Sequence, residues 1–198
     1  MNHLLTICLL FAATLSAQTP QSTQKLTATW EQSRYWSEVN NLDGRFQLLS
    51  PQGFQHRSDT LETGLGQQVL HTYHFETPDP ATSENVIYAL SYVDYPSGSL
   101  HHDSTELVQE FFAGTEDEAV SAIRGELVYG ADKRVSTFPA RQWRIDYRDG
   151  QATARTLAVV AGNRYYELKV FSLKAAGPND AANKFFDSFR VFDPPSEQ

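Results

Sequence analysis

The chain holds a single cysteine in 198 residues, Cys8, and it lies inside the first apolar run. Everything after that run lacks thiols. Disulfides, thiol nucleophiles and thiolate metal ligands are therefore excluded from the rest of the protein. In an oxidising compartment such a fold must hold by its core alone. Long apolar runs are scarce too. The one candidate, Leu4 to Leu15, spans about a dozen residues, against the roughly 20 that a helix needs to cross a bilayer. Positive charge is in short supply. A formal net charge of −8 argues against general nucleic-acid binding and against adhesion to anionic lipid. No Gly-x-Ser-x-Gly elbow is present, and the Ser, His and Asp residues have no spacing that singles out a triad.

What the chain does have begins with an address. Residues 1–17 read as a signal peptide: the short apolar core is followed by Ser16-Ala17, small residues suited to a signal peptidase. The expectation is export to the periplasm or beyond the cell, with no membrane span left after cleavage. Cys8 sits mid-run, which does not fit a lipoprotein anchor. Residues 18–42 form a polar spacer, Gln18 to Gln24, and then an aromatic lead-in carrying Leu26, Trp30, Tyr35, Trp36 and Val39. Large apolar groups are weighted toward burial, so the lead-in is expected to pack on the domain edge rather than serve as a free arm. Residues 43–192 are enough for one core and one domain. Asp193-Pro194-Pro195 closes it, leaving a loose tail over 193–198.

Hydrophobic alternation places strands at Gly44–Pro51, Phe54–Glu62, Gln67–Glu76 and Asn85–Tyr95, the last stopped by Pro96. The period then changes. Asp103 and Glu106 have the spacing of a helix N-cap box, and Leu107, Val108, Phe111 and Phe112 fall on one helical stripe that Gly125 ends. Strands resume at Glu126–Val135, Ala140–Arg148, Arg155–Ala161 and Arg164–Phe171, with tight turns at Asp149-Gly150 and Gly162-Asn163. Counting across Gly162-Asn163 puts Val159 opposite Tyr166 and Leu157 opposite Leu168. Counting across Asp149-Gly150 puts Ile145 opposite Ala154, on the other surface. Either a bulge shifts the register or both sheet faces are covered, and two helices plus a lead-in favour covered faces. Asn179 and Asp180 cap a last helix whose stripe is Ala182, Phe185, Phe186 and Phe189.

Three patterns carry a resemblance: Gly44-Arg-Phe-Gln-Leu-Leu-Ser-Pro51; Tyr92-Val-Asp-Tyr-Pro96 after a strand; and Gly162-Asn-Arg-Tyr-Tyr-Glu-Leu168 followed by Lys184-Phe-Phe-Asp-Ser-Phe189. Over roughly residues 43–192 the chain resembles exported bacterial domains of the PsbP/Mog1-like group. The resemblance implies an α+β fold: a mostly antiparallel sheet with helices packed on both faces. The group includes photosystem accessory subunits, a nuclear-transport regulator and many bacterial proteins of unknown role. It therefore implies a non-catalytic binding or accessory protein of the bacterial envelope, with an envelope protein or small ligand as partner, no cofactor and a monomeric state. Its motifs are structural, so no functional residue carries over.

Candidate chemistry is thin. His71 and His74 fall on opposite faces of one strand, which makes them poor joint ligands. His101-His102-Asp103 precedes a helix and offers two imidazoles to a divalent ion, although Asp103 is already accounted for as a cap and no third ligand has motif spacing. Glu116, Asp117 and Glu118 read as a solvated helical face. Between Arg124 and Arg164 there are eight cations against four anions. Arg144, Arg148 and Arg155 are the residues placed to meet an anion or acidic partner, with Arg144 directly across from Arg155 unless Asp146 bridges them. The alternative function is a metal-binding protein or enzyme built on His101 and His102, or a small-molecule carrier. Tyr95, Tyr129 and Tyr165 either rim a groove or close strand ends, and the second is expected.

Overall fold

A computed structural model describes residues 36–51, 54–173 and 177–192. The segment 1–17 expected to be a signal peptide, the expected spacer with Leu26, Trp30 and Tyr35, and the expected tail 193–198 lie outside the described residues. Strands β1 (Trp36–Asn41), β2 (Phe46–Pro51), β3 (Gln55–Thr63), β4 (Gly66–Glu76) and β5 (Asn85–Asp94) come first, then helix α1 (Thr105–Ile123). Next are β6 (Glu126–Val135), β7 (Phe138–Tyr147), β8 (Ala152–Ala161) and β9 (Arg164–Leu173). Helix α2 (Asp180–Ser188) and the short β10 (Arg190–Val191) close the chain.

Seven strands form one sheet in the order β3-β4-β5-β9-β8-β7-β6, and β1-β2-β10 form a second. All pairings are antiparallel. The tight turns set the register as their sequences require. Asp149 and Gly150 both have positive φ, and Gln151 N–H donates to Arg148 C=O, the geometry of a primed hairpin turn. Leu157 faces Leu168, Val159 faces Tyr166, and Ile145 faces Ala154 with no slip. Both faces are indeed covered, and each has its own core.

On one face Leu90, Tyr92, Leu157, Val159, Tyr166, Leu168 and Val170 meet Phe46 and Leu48 of β2 and Phe185, Phe186 and Phe189 at the α2 end. On the other, Val93, Trp143, Ile145, Ala158, Val160 and Tyr165 meet Val108, Phe111 and Phe112 of α1. Burial of each such side chain contributes about 1.5–3 kcal/mol. The expectation of helices packed on both faces is corrected here. Only α1 makes a helical layer; the opposite cover is shared between nine-residue α2 and the three-stranded sheet, so the layering is sheet-rich. The reason lies in the lead-in, whose Trp36 and Val39 sit on an edge strand, partly buried against this core.

Helix ends differ as well. Asn179 caps α2, its Oδ1 accepting from Ala182 N–H at 2.8 Å. For α1 the N-cap is Ser104, with no side-chain cap bond, so Asp103 is not the cap. Glu116 is buried rather than solvated. Arg141 on β7 holds it through Nε and Nη2 at 2.8 and 3.1 Å.

Candidate functional site

The β1–β2 turn docks on the main sheet, and polar side chains gather where it lands. The hairpin β3–β4 turns on Gly64-Leu65, with Thr63 opposite Gly66, which fixes His56 opposite Tyr73; β4–β5 pairing then sets His71 opposite Tyr92 and β5–β9 pairing sets Asp94 opposite Arg164. All point to the face that the β1–β2 turn covers. His56 stacks on Tyr73 at 4.3 Å and His71 on Tyr92 at 4.6 Å between ring centroids. His56 Nε2 and His71 Nδ1 are 3.3 Å apart, within hydrogen-bond reach of each other.

Arg164 is the hub. Its Nε and Nη2 donate to Asp94 Oδ1 and Oδ2 at 2.7 and 2.6 Å, its Nη1 donates to the Asp43 carbonyl, and its guanidinium lies 4.6 Å from the Tyr92 ring centre. The turn is pinned from two further sides. Asn41 Nδ2 donates to Tyr73 Oη, and Tyr166 Oη donates to the Gly44 carbonyl, both at 2.7 Å. Gly44 is required at this landing point: a Cβ there would come within 2.6 Å of the Phe46 ring and 2.9 Å of Asn41 Oδ1.

The electrostatics follow from burial and pairing. Burial pushes the Tyr73, Tyr92 and Tyr166 phenols up, and Tyr88 nearby goes to about 12 for the same reason. Burial alone would raise the Asp94 carboxyl, but the hydrogen bonds and charge of Arg164 outweigh it and hold it below its usual range. Burial would likewise lower Arg164, and Asp94 reverses it. His71 is lowered by burial first and then by the charges of His56 and Arg164. The shifts of the phenols, Asp94 and Arg164 all move away from neutrality. General acid–base catalysis needs the opposite, groups brought toward the operating pH.

The residues singled out by sequence fall into two other places. Arg144 and Arg155 are directly opposed across β7 and β8. Arg144 binds Asp146 at 2.8 Å, whereas Arg155 is held by α2, donating to Asn183 Oδ1 at 3.0 Å with its guanidinium 5.1 Å from the Phe186 ring centre. Arg148 stands apart at the β7–β8 turn, beside the Tyr147 ring. The three arginines do not converge on one point.

His101, His102 and Asp103 do converge, with one potential ligand atom from each within 4.8 Å of the others. Freed from capping, the Asp103 carboxylate meets His101 Nδ1 at 3.4 Å and His102 Nε2 at 3.3 Å. Gly162 N–H donates to His102 Nδ1 at 2.9 Å. That bond requires an unprotonated Nδ1, so in neutral His102 the proton is on Nε2, the atom facing Asp103. A metal at Nε2 would have to remove that proton or break the Gly162 bond. Tyr95 and Tyr165 are buried against Phe111 and close strand ends, as expected, while Tyr129 is exposed on β6.

No protein-family model matches the chain, and no curated protein matches it. Solved structures do. Cyanobacterial PsbP (CyanoP) from Synechocystis sp. PCC 6803 aligns with a TM-score of 0.52 at 11% identity, over 80% of this chain and 93% of its own. A protein of unknown function from Pseudomonas aeruginosa aligns at 0.41 and 12% identity, over 72% and 85%. A Bacteroides thetaiotaomicron VPI-5482 structure aligns at 0.43 and 13% identity, over 79% of this chain and 48% of its own. The strand order, the two cores and the CyanoP alignment together assign the architecture: this chain has the PsbP-like fold.

Proposed function

We propose that the protein is an exported, non-catalytic binding or accessory component of the bacterial envelope. Its recognition surface is the rim where the β1–β2 turn meets β3, β4 and β5. One observation carries the reading: the phenols, carboxylate and guanidinium gathered there are tied to one another and shifted away from neutrality. They form a rigid platform rather than a proton-transfer site. Around it, Leu42 is 71% exposed and Val69 45% exposed, with His56 also open to solvent. Exposed apolar residues around fixed polar groups suit a protein partner.

Affinity capture from an envelope fraction tests this. The bait is the protein itself beside a variant carrying Leu42→Glu, His56→Glu and Val69→Glu. A partner bound by the first and lost from the second, with the melting temperature unchanged, supports the reading. Equal capture by both would refute it. The alternative, metal chemistry at His101 and His102, is favoured by their convergence with Asp103 and opposed by the proton that the Gly162 bond places on His102 Nε2.

A further inference from the structure

The main sheet has two open edges, and they differ. β3 carries Arg57, Asp59 and Glu62, with Arg57 and Asp59 paired at 2.6 Å, and none of the exposed large apolar side chains among the described residues lies on it; such an edge offers little to another strand. β6 is exposed along all of its length but Val135, with Leu127 at 39%, Val128 at 50% and Tyr129 at 39% exposure. Its N-terminal half is Glu-Leu-Val-Tyr-Gly-Ala, and its C-terminal half brings Asp132, Lys133 and Arg134. Three large apolar side chains on a long, half-unpaired strand are a template for another strand.

The pattern on β6 identifies that strand. Leu127 pairs with Ile145 and Tyr129 with Arg144, so Val128 is the extra residue of a bulge. The bulge puts Glu126, Tyr129, Ala131 and Lys133 on one face, and Leu127, Gly130 and Asp132 on the other. We infer that β6 pairs antiparallel with β6 of a second copy, about a two-fold axis at Gly130 that extends the sheet across both molecules. Skipping the bulged residue in each copy, Gly130 meets Gly130, Tyr129 meets Ala131, Leu127 meets Asp132 and Glu126 meets Lys133. Every pair then keeps its faces matched. The charge pattern selects this occupant: an acid at one end and a base at the other are self-complementary only in an antiparallel dimer, which forms the Glu126–Lys133 pair twice.

The isolated chain leaves both groups wanting. Among the described residues neither Glu126 nor Lys133 makes an ion pair. Glu126 sits directly opposite Asp146, whose carboxylate is already bound by Arg144, so the open side of Glu126 is where a lysine can pair with it. This inference stands apart from the rim, which lies at the other end of the sheet order, and it replaces the monomer expected from sequence.

Sedimentation equilibrium of the purified protein tests it, with Glu126→Lys, Lys133→Glu and the double exchange, each checked for native circular dichroism. The protein dimerises, each single exchange raises the dimer Kd by about tenfold or more, and the double exchange returns it to within about twofold of the original. Added salt weakens the unaltered dimer as well, a readout independent of any variant. A monomer over about a hundredfold range of concentration, single exchanges that leave the dimer unchanged, or a natively folded double exchange without recovery would each overturn it.

Discussion

Replacing Arg141 by methionine removes the one ion-pair partner that Glu116 has among the described residues. The Glu116 side chain is only 7% exposed, so its carboxylate is left buried without a counter-charge, at a cost of about 3–5 kcal/mol. Replacing Glu116 by methionine is milder. Arg141 keeps Asp132 at 2.9 Å and is 22% exposed, so about 1–2 kcal/mol is lost. Methionine at both positions fills the volume without charge and costs about 1 kcal/mol or less. The three values are non-additive, with a coupling of about 3 kcal/mol or more, far above what separated sites give. Urea unfolding of the four proteins measures this, provided the m-value stays constant. Single substitutions of equal cost, or a double substitution equal to their sum, would refute the assignment of this pair as a buried, mutually dependent unit.

Gly130→Ala drives a Cβ into Glu116 Oε2 and to within 2.7 Å of Arg141 Nη2. It costs about 1–3 kcal/mol by overpacking and markedly less where both partners are methionine; equal costs in the two backgrounds would show that the clash is not with this pair. His71 has a folded-state value below its ordinary 6.5, so its neutral form stabilises the protein above that pH and the contribution is lost as pH falls through the lowered value. His71→Phe therefore flattens the decline of the urea midpoint between neutral and mildly acid pH, and a variant that declines in parallel with the unaltered protein would contradict this. Asp94, held low by Arg164, contributes above the usual carboxylate range and loses its contribution as pH falls through its depressed value; Asp94→Asn removes that more acidic step from the midpoint-against-pH curve. Zinc leaves the melting temperature unchanged because His102 Nε2 is protonated toward Asp103; a rise that disappears on His101→Ala with His102→Ala would reverse that conclusion.

Much of the architecture is legible in the amino-acid sequence because it is local. The turns at Asp149-Gly150 and Gly162-Asn163 fix the β7-β8-β9 register by counting alone, and Asn179 announces its helix. The rim is not local. His71, Tyr92, Asp94 and Arg164 meet through strand pairing, Asp94 and Arg164 across 70 residues, and Asn41 reaches them by the packing of one sheet on another, none of which a spacing records. One link was readable: Gly64-Leu65 as a two-residue turn would have set His56 against Tyr73. Glu116 was opaque for a different reason. A carboxylate on a helix defaults to solvent until a cation on a distant strand, here Arg141, is known to lie beneath it. The Asp103–Glu106 spacing misled because the helix starts one residue later, at Thr105, and the carboxylate turns to the histidines instead.

The pairing of β2 with β10 joins segments near opposite ends of the described chain, and β5 waits in the same way for β9. Until Val191 has emerged, Phe46 and Leu48 lack part of their cover. Closing such long loops is slow, on the order of milliseconds to seconds. A growing polypeptide therefore stays open until β10 has been made, and deleting β10 removes the finishing step rather than trimming an ornament.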